Sequence, residues 1–152
     1  MSAAHLSCSH TALADSLRQA EELCEMRGGR LTPLRRKVLT LLLEAQAPAK
    51  AYDLLNLMGQ EAAAKPPSVY RCLDFLLEMG LAHRIESLNA FVACGHWGHG
   101  HAAAFLICDS CGNVGELHAG ESVRRLAAEI EEVRFRMRSA VIEVRGVCAS
   151  CA

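Results

Sequence analysis

The 152-residue chain has no apolar run near the ~18–20 residues a membrane-spanning helix needs, so no membrane partner is expected. Its start, Met1 to Leu13, lacks a basic patch followed by an apolar stretch, so it is not expected to be a secretory signal. These two absences make a reducing, cytoplasmic compartment the default. There, clustered thiols are expected to bind metal and not to pair as disulfides. Net charge is also nearly absent, −1 at neutral pH, which argues against bulk attraction to nucleic acid. Locally, however, it is acid that is missing. Arg27, Arg30, Arg35, Arg36 and Lys37 fall between Arg27 and Leu43 with no Asp or Glu among them. Such a patch can meet phosphate or can be an ordinary solvated face. No acid/base set around a substrate pocket is visible, so neither catalysis nor a small-molecule substrate is expected.

Apolar residues make up 51% of the chain, enough for a core, and there are eight cysteines. Four of the cysteines form two Cys-x-x-Cys pairs, Cys108-Asp-Ser-Cys111 and Cys148-Ala-Ser-Cys151. Four thiolates are what a tetrahedral zinc takes, and each pair is a knuckle that aims two sulfurs at one point. Residues 112–147 separate the pairs, more than a common zinc-ribbon loop holds. The metal is therefore expected to pin both ends of a small subdomain.

Residues 1–9 read as a frayed terminus, with His5, Cys8 and His10 as an alternative accessory metal site. His10 to Met26 has a helical stripe of Leu13, Leu17, Ala20 and Cys24, ended by Gly28-Gly29. Thr32-Pro33 caps and opens a second helix, with Leu34, Val38, Leu41 and Leu42 inward. Ala51 to Met58 is a third, turned inward at Ala51, Leu54, Leu55 and Met58. A fourth runs from about Pro67 to Met79, with Val69, Leu73, Leu76 and Leu77 inward and Gly80 as its stop. Lys65 stands just ahead of it. Its first turn carries Ser68, Tyr70 and Arg71, polar groups able to contact DNA, while Cys72 reads as a small side chain on the same helix.

The pattern then turns to strands. His83 to Ser87 and Ala90 to Cys94 flank Leu88-Asn89 as a hairpin. Helices followed by a hairpin outline a winged helix-turn-helix, whose last helix enters the major groove. If Leu88-Asn89 are the two turn residues, His83 and Cys94 oppose each other with Cβ atoms ~5 Å apart. That is half of a metal site. The other half is expected from Glu116 and from the histidine loop Gly95-His-Trp-Gly-His-Gly-His101, with His101 preferred and His99 or His96 as substitutes. His118 shares the face of Glu116 and is either an extra ligand or a neighbour of one. One thiolate among imidazoles favours zinc over magnesium or calcium, and less decisively over iron(II), nickel or manganese. Beyond the loop, strands Ala104–Cys108 and Asn113–His118, helix Glu121–Arg134 and strand Met137–Gly146 are expected. The helix is expected to turn Val123, Leu126, Ala127, Ile130 and Val133 inward. A unit of roughly 50 residues commonly needs a staple or a partner, and zinc and a second chain would supply them.

Arg30-Leu-Thr-Pro-Leu-Arg35, Ala51-Tyr-Asp-Leu-Leu55, Lys65-Pro-Pro-Ser-Val-Tyr-Arg71, Leu73-Asp-Phe-Leu76 and the two knuckles together resemble the ferric uptake regulator superfamily. With His83, Cys94, His101 and Glu116, the chain looks most like its zinc uptake regulator branch. The resemblance covers residues 12–151. It implies an α+β fold: an N-terminal winged helix-turn-helix followed by a small α/β dimerisation domain with a structural zinc. The expected boundaries are a DNA-binding domain over 1–94, an interdomain hinge loop over 95–102, and a dimerisation and metal-binding domain over 103–152. It implies a homodimeric, zinc-dependent repressor that binds palindromic double-stranded operators of zinc-uptake genes, with two zinc ions per subunit. Cys108, Cys111, Cys148 and Cys151 would hold the structural zinc. His83, Cys94, His101 and Glu116 would hold the regulatory one. Tyr52 and Arg71 match base-contacting positions, with Ser68 and Tyr70 beside them and Arg35 and Lys65 as further DNA contacts. The alternatives are a sensor of iron, manganese, nickel or peroxide, a zinc-storage protein and a zinc enzyme.

Overall fold

The computed structural model describes residues 10–45, 47–59, 65–97 and 102–152. The chain divides into two compact units, residues 1–98 and 99–152.

The first unit opens with α1 (His10–Met26), α2 (Pro33–Glu44), α3 (Ala51–Met58) and α4 (Pro66–Glu78). Thr32 caps α2, its side-chain oxygen accepting from the Arg35 N–H, and Pro33 fills the first turn. Pro66 opens α4 in the same way. Gly80 follows α4 at φ +68°, where a side chain would be strained. The expected stripes are buried. Ala20, Cys24, Val38, Leu54, Val69, Leu73 and Leu76 lie in one core, joined by Leu39, Cys72 and Phe75. Leu34, Leu41, Leu55, Leu77 and Trp97 pack at its margin.

Strands β1 (Ala82–Ile85) and β2 (Ala90–Ala93) form the wing. Ala49 adds an antiparallel bridge to Phe91. The expected two-residue turn is replaced. Ile85 pairs with Ala90, a 3-10 turn spans Glu86–Leu88, and Asn89 takes the left-handed conformation at φ 47°. The register is shifted by two residues from the expected one, which keeps Ile85 and Ala90 on the core face, where both are buried. Asn tolerates the left-handed region, and Arg84 donates to its side-chain oxygen at 3.0 Å. His83 therefore opposes Val92, not Cys94.

The second unit is a three-stranded sheet in the order β4-β3-β5 with one helix. β3 (Ala103–Cys108) and β4 (Val114–His118) are antiparallel, α5 spans Gly120–Glu132, and β5 (Ile142–Gly146) is parallel to β3. The last strand is shorter than expected. Its first partner is Ala104, opposite Ile142, so residues 137–141 have little of β3 left to pair with. The α5 stripe departs further. No residue of the helix is buried, Leu126 is 41% exposed, and Val133, beyond its end, is 74% exposed. Amphipathic spacing reveals an apolar face but not the surface that covers it.

No helix among the described residues is long and apolar enough to cross a membrane.

Candidate metal centres and nucleic-acid interface

The parallel pairing of β3 and β5 explains why the two knuckles meet. Cys108 pairs with Gly146, so the C-terminal ends of the two strands lie side by side. Each strand runs directly into a Cys-x-x-Cys turn. In both turns backbone N–H groups point back at the first cysteine: Gly112 N donates to Cys108 O at 2.9 Å, and Cys151 N to Cys148 O at 2.9 Å. Asp109 N ties the first knuckle to Gly146 O at 2.8 Å. The Arg145 side chain reaches back to Asp109 Oδ1 through two nitrogens, at 2.6 and 2.9 Å. The sequence reading missed this brace, although its signal was present: opposite charges stand beside the two cysteine pairs.

The sulfurs of Cys108, Cys111, Cys148 and Cys151 lie within 4.8 Å of one another. Metal–sulfur bonds of about 2.3 Å in a tetrahedron put the sulfurs roughly 3.8 Å apart. Cys111 Sγ and Cys148 Sγ are 3.8 Å apart, against about 2.05 Å for a disulfide. None of the four forms a disulfide. The amides of Cys148 and Cys111 at its sulfur hold the Cys108 thiol down to about 6. Hydrogen bonding with the sulfurs of Cys148 and Cys111 pushes Cys151 up to about 12. Four thiolates so close repel one another, and a divalent cation at their centre reverses that repulsion. The donor set fits zinc.

The first unit brings a second pair of candidate ligands together. Although His83 faces Val92 across the wing, its imidazole and the Cys94 sulfur lie within 4.8 Å of each other. Cys94 follows β2 and is buried, and its N–H donates to Leu81 O at 2.9 Å. His96 N donates to the Cys94 sulfur at 3.4 Å, which places His96 beside the pair. In the second unit Glu116 is half-buried on β4, opposite Phe105, and His118 ends that strand opposite Ala103. His99 and His101, like His5 and Cys8, lie outside the described residues.

The residues read as DNA contacts lie on α2, α3 and α4. On α4, Val69 and Leu73 take the core side, which turns Tyr70 and Arg71 outward, Tyr70 at 53% exposure. Tyr52, 69% exposed, stands on α3. Lys65 is exposed at the start of α4, its carbonyl accepting from Ser68 N at 2.8 Å. Three members of the basic run are tied to the protein itself. Arg36 pairs with Glu21 at 3.1 Å, Arg35 donates to Arg30 O at 2.7 Å, and Arg27 donates to Met79 O at 2.7 Å.

The sequence model of the Ferric uptake regulator family matches residues 26–145. The chain belongs to this family. Among curated members it is 43% identical to the zinc uptake regulation protein of Escherichia coli (strain K12) over 144 residues, 93% of this chain and 84% of that protein. A solved zinc uptake regulator complexed with zinc and DNA superposes with a TM-score of 0.87 at 42% identity, covering 91% of this chain and 94% of that one. The crystal structure of holo XcZur gives 0.84 at 43% identity, over 90% and 96%. The winged helix-turn-helix and small sheet domain of this family member match those relatives in fold.

Proposed function

We propose that the chain is a zinc-responsive transcriptional repressor, acting as a cytoplasmic homodimer that binds palindromic operators and shuts off zinc-uptake genes. The observation that carries the reading is the His83–Cys94 pair, a nitrogen and a sulfur ligand within 4.8 Å of each other at the base of the wing. Imidazole with thiolate selects zinc over hard cations such as magnesium. The likeness to the zinc uptake regulation protein of E. coli supports the same metal.

Two zinc ions per subunit follow from this reading. Cys108, Cys111, Cys148 and Cys151 would hold one closed, four-coordinate ion that staples the second unit. His83 and Cys94, completed by His101 and Glu116, would hold the regulatory ion, with His96 or His99 as substitutes for His101. Such an ion would draw ligands from both units and so favour one arrangement of the two recognition helices. By linkage, operator DNA would tighten zinc binding by the factor with which zinc tightens DNA binding. Tyr52, Ser68, Lys65, Tyr70 and Arg71 would face the operator, α4 entering the major groove. The dimer is supported by the open apolar surface of the second unit, where Leu117, Leu126, Val141 and Val144 are exposed. The reading assigns the chain no catalytic residue. The experiment that tests it is a DNA-binding titration at buffered free zinc on the promoter of a zinc transporter, with iron(II), manganese and nickel in parallel.

A further inference from the structure

Arg27 and Arg35 belong to the basic run that could meet phosphate, but their guanidinium groups are turned onto the recognition helix. The Arg35 guanidinium carbon lies 3.6 Å from the centroid of the Phe75 ring, while its Nη1 donates to Arg30 O at 2.7 Å. Phe75 is buried on α4, one turn after Arg71. Arg27 Nη1 donates to the Met79 carbonyl at 2.7 Å. That carbonyl belongs to the C-terminal end of α4, where carbonyls lack helical partners and the helix dipole is negative. Gly29 lies between the two arginines. A Cβ there would come 3.0 Å from the Phe75 ring and 3.1 Å from the Met79 sulfur, so the α1–α2 loop runs against α4 at a distance that suits glycine. The loop and the first turn of α2 thus grip the C-terminal end of α4, at the Phe75 ring in its last turn and at the Met79 carbonyl just beyond it.

We infer that Arg35 is a positioning residue for operator recognition: it holds α4 through Phe75, with Arg27 and Gly29 completing the grip, and it does not bind phosphate. The inference rests on the DNA-binding reading and revises the role of one residue within it. A planar guanidinium can stack on a ring and donate sideways at once. A lysine ammonium, a compact charge on a flexible stem, cannot do both in that geometry. Specificity comes from base contacts that need the helix in register, whereas phosphate contacts set the salt dependence.

The test uses the full-length, zinc-loaded chain, a duplex selected by the wild type from a random library, and a scrambled duplex of the same composition. Affinities are measured over a salt series for the wild type, Arg35→Gln, Arg35→Lys, Phe75→Leu and the Arg35→Gln/Phe75→Leu double variant. Phe75→Leu removes the ring and leaves the charge, so it tests the grip even if Arg35→Gln folds poorly. The expected result is about a tenfold loss on the selected duplex for either single change. Binding to the scrambled duplex and the salt slope stay unchanged, lysine does not rescue, and the double variant is no weaker than the weaker single. A salt slope shallower by about 0.9 per arginine removed, with scrambled-duplex binding falling in parallel, would make Arg35 a phosphate contact and overturn the inference. Wild-type affinity in Arg35→Gln, rescue by lysine, or additive losses in the double variant would overturn it as well. Failure of the wild type to select any duplex in the presence of zinc would instead refute the DNA-binding reading itself.

Discussion

The backbone N–H of Cys94 donates to the carbonyl of Leu81 at 2.9 Å, which ties this candidate ligand to the residue that enters β1 and leads to His83. The tie is made by main-chain atoms, so it survives a change of side chain. Cys94→Ser keeps the wing closed while removing the soft ligand. The variant is expected to retain the wild-type oligomer and to melt about 2–12 °C below it, since one small buried polar exchange costs about 1–3 kcal/mol. Its zinc content is expected to fall from two to one per protomer by elemental analysis. A variant with both ions retained would remove Cys94 from the regulatory set.

The four-cysteine cluster predicts a different defect. Cys148→Ser leaves three sulfurs for one ion and frees the end of β5. The second unit, small and with an unburied helix, is expected to lose cooperative unfolding, and the dimer is expected to dissociate in sedimentation. The first unit, with its own core, is expected to keep its helical circular dichroism.

Protonation links the same site to pH. Cys108, held down to about 6, is already a thiolate at pH 7.5, whereas Cys151, pushed up to about 12, keeps its proton until zinc arrives. Zinc uptake by metal-free chain is thus expected to release fewer than four protons per cluster at pH 7.5. Below pH 6 Cys108 is protonated too, so the number released rises and affinity falls. Calorimetry in buffers of different ionisation enthalpy measures it. Release that does not change between pH 5.5 and 7.5 would contradict the assignment.

The open face of the second unit predicts a partner of the same kind. Val144, 50% exposed on the edge strand β5, and Leu126 on α5, 41% exposed, are only half covered within the unit. Val144→Asp or Leu126→Asp is expected to shift the chain toward monomer in light scattering, with operator affinity falling at least tenfold because two linked half-sites become one. Dimers of wild-type strength in both variants would place the interface elsewhere.

Much of the first unit is legible in the sequence because each helix carries its own punctuation. Thr32-Pro33 starts α2, Gly80 stops α4, and the apolar stripes run at helical spacing throughout. The wing register was less legible. Leu88-Asn89 looks like a two-residue turn, but the observed register differs from that one by two residues and buries the same strand faces, so the apolar pattern does not choose between them. The His83 and Cys94 side chains come together despite the shift, because Cys94 continues past the strand and stays near the hairpin base. In the second unit the cysteine spacing announced the four-sulfur cluster, but not the parallel pairing that brings the knuckles side by side. The apolar spacing of α5 predicts a buried stripe that the unit leaves uncovered, since a sequence shows an apolar face without showing the chain that covers it. The role of Arg35 was hidden for a related reason: a basic run looks the same whether its charges meet phosphate or an aromatic ring within the fold.

The central claim, that zinc at His83 and Cys94 licenses DNA binding, is tested most directly by a mobility-shift titration on a zinc-transporter promoter. Free zinc is buffered, and the wild type and Cys94→Ser are run side by side. The account predicts a sharp zinc-dependent shift for the wild type, a weaker response to iron(II), manganese and nickel, and no zinc-dependent shift for the variant. A variant that responds to zinc like the wild type, or a wild type that answers iron or manganese as readily as zinc, would contradict it.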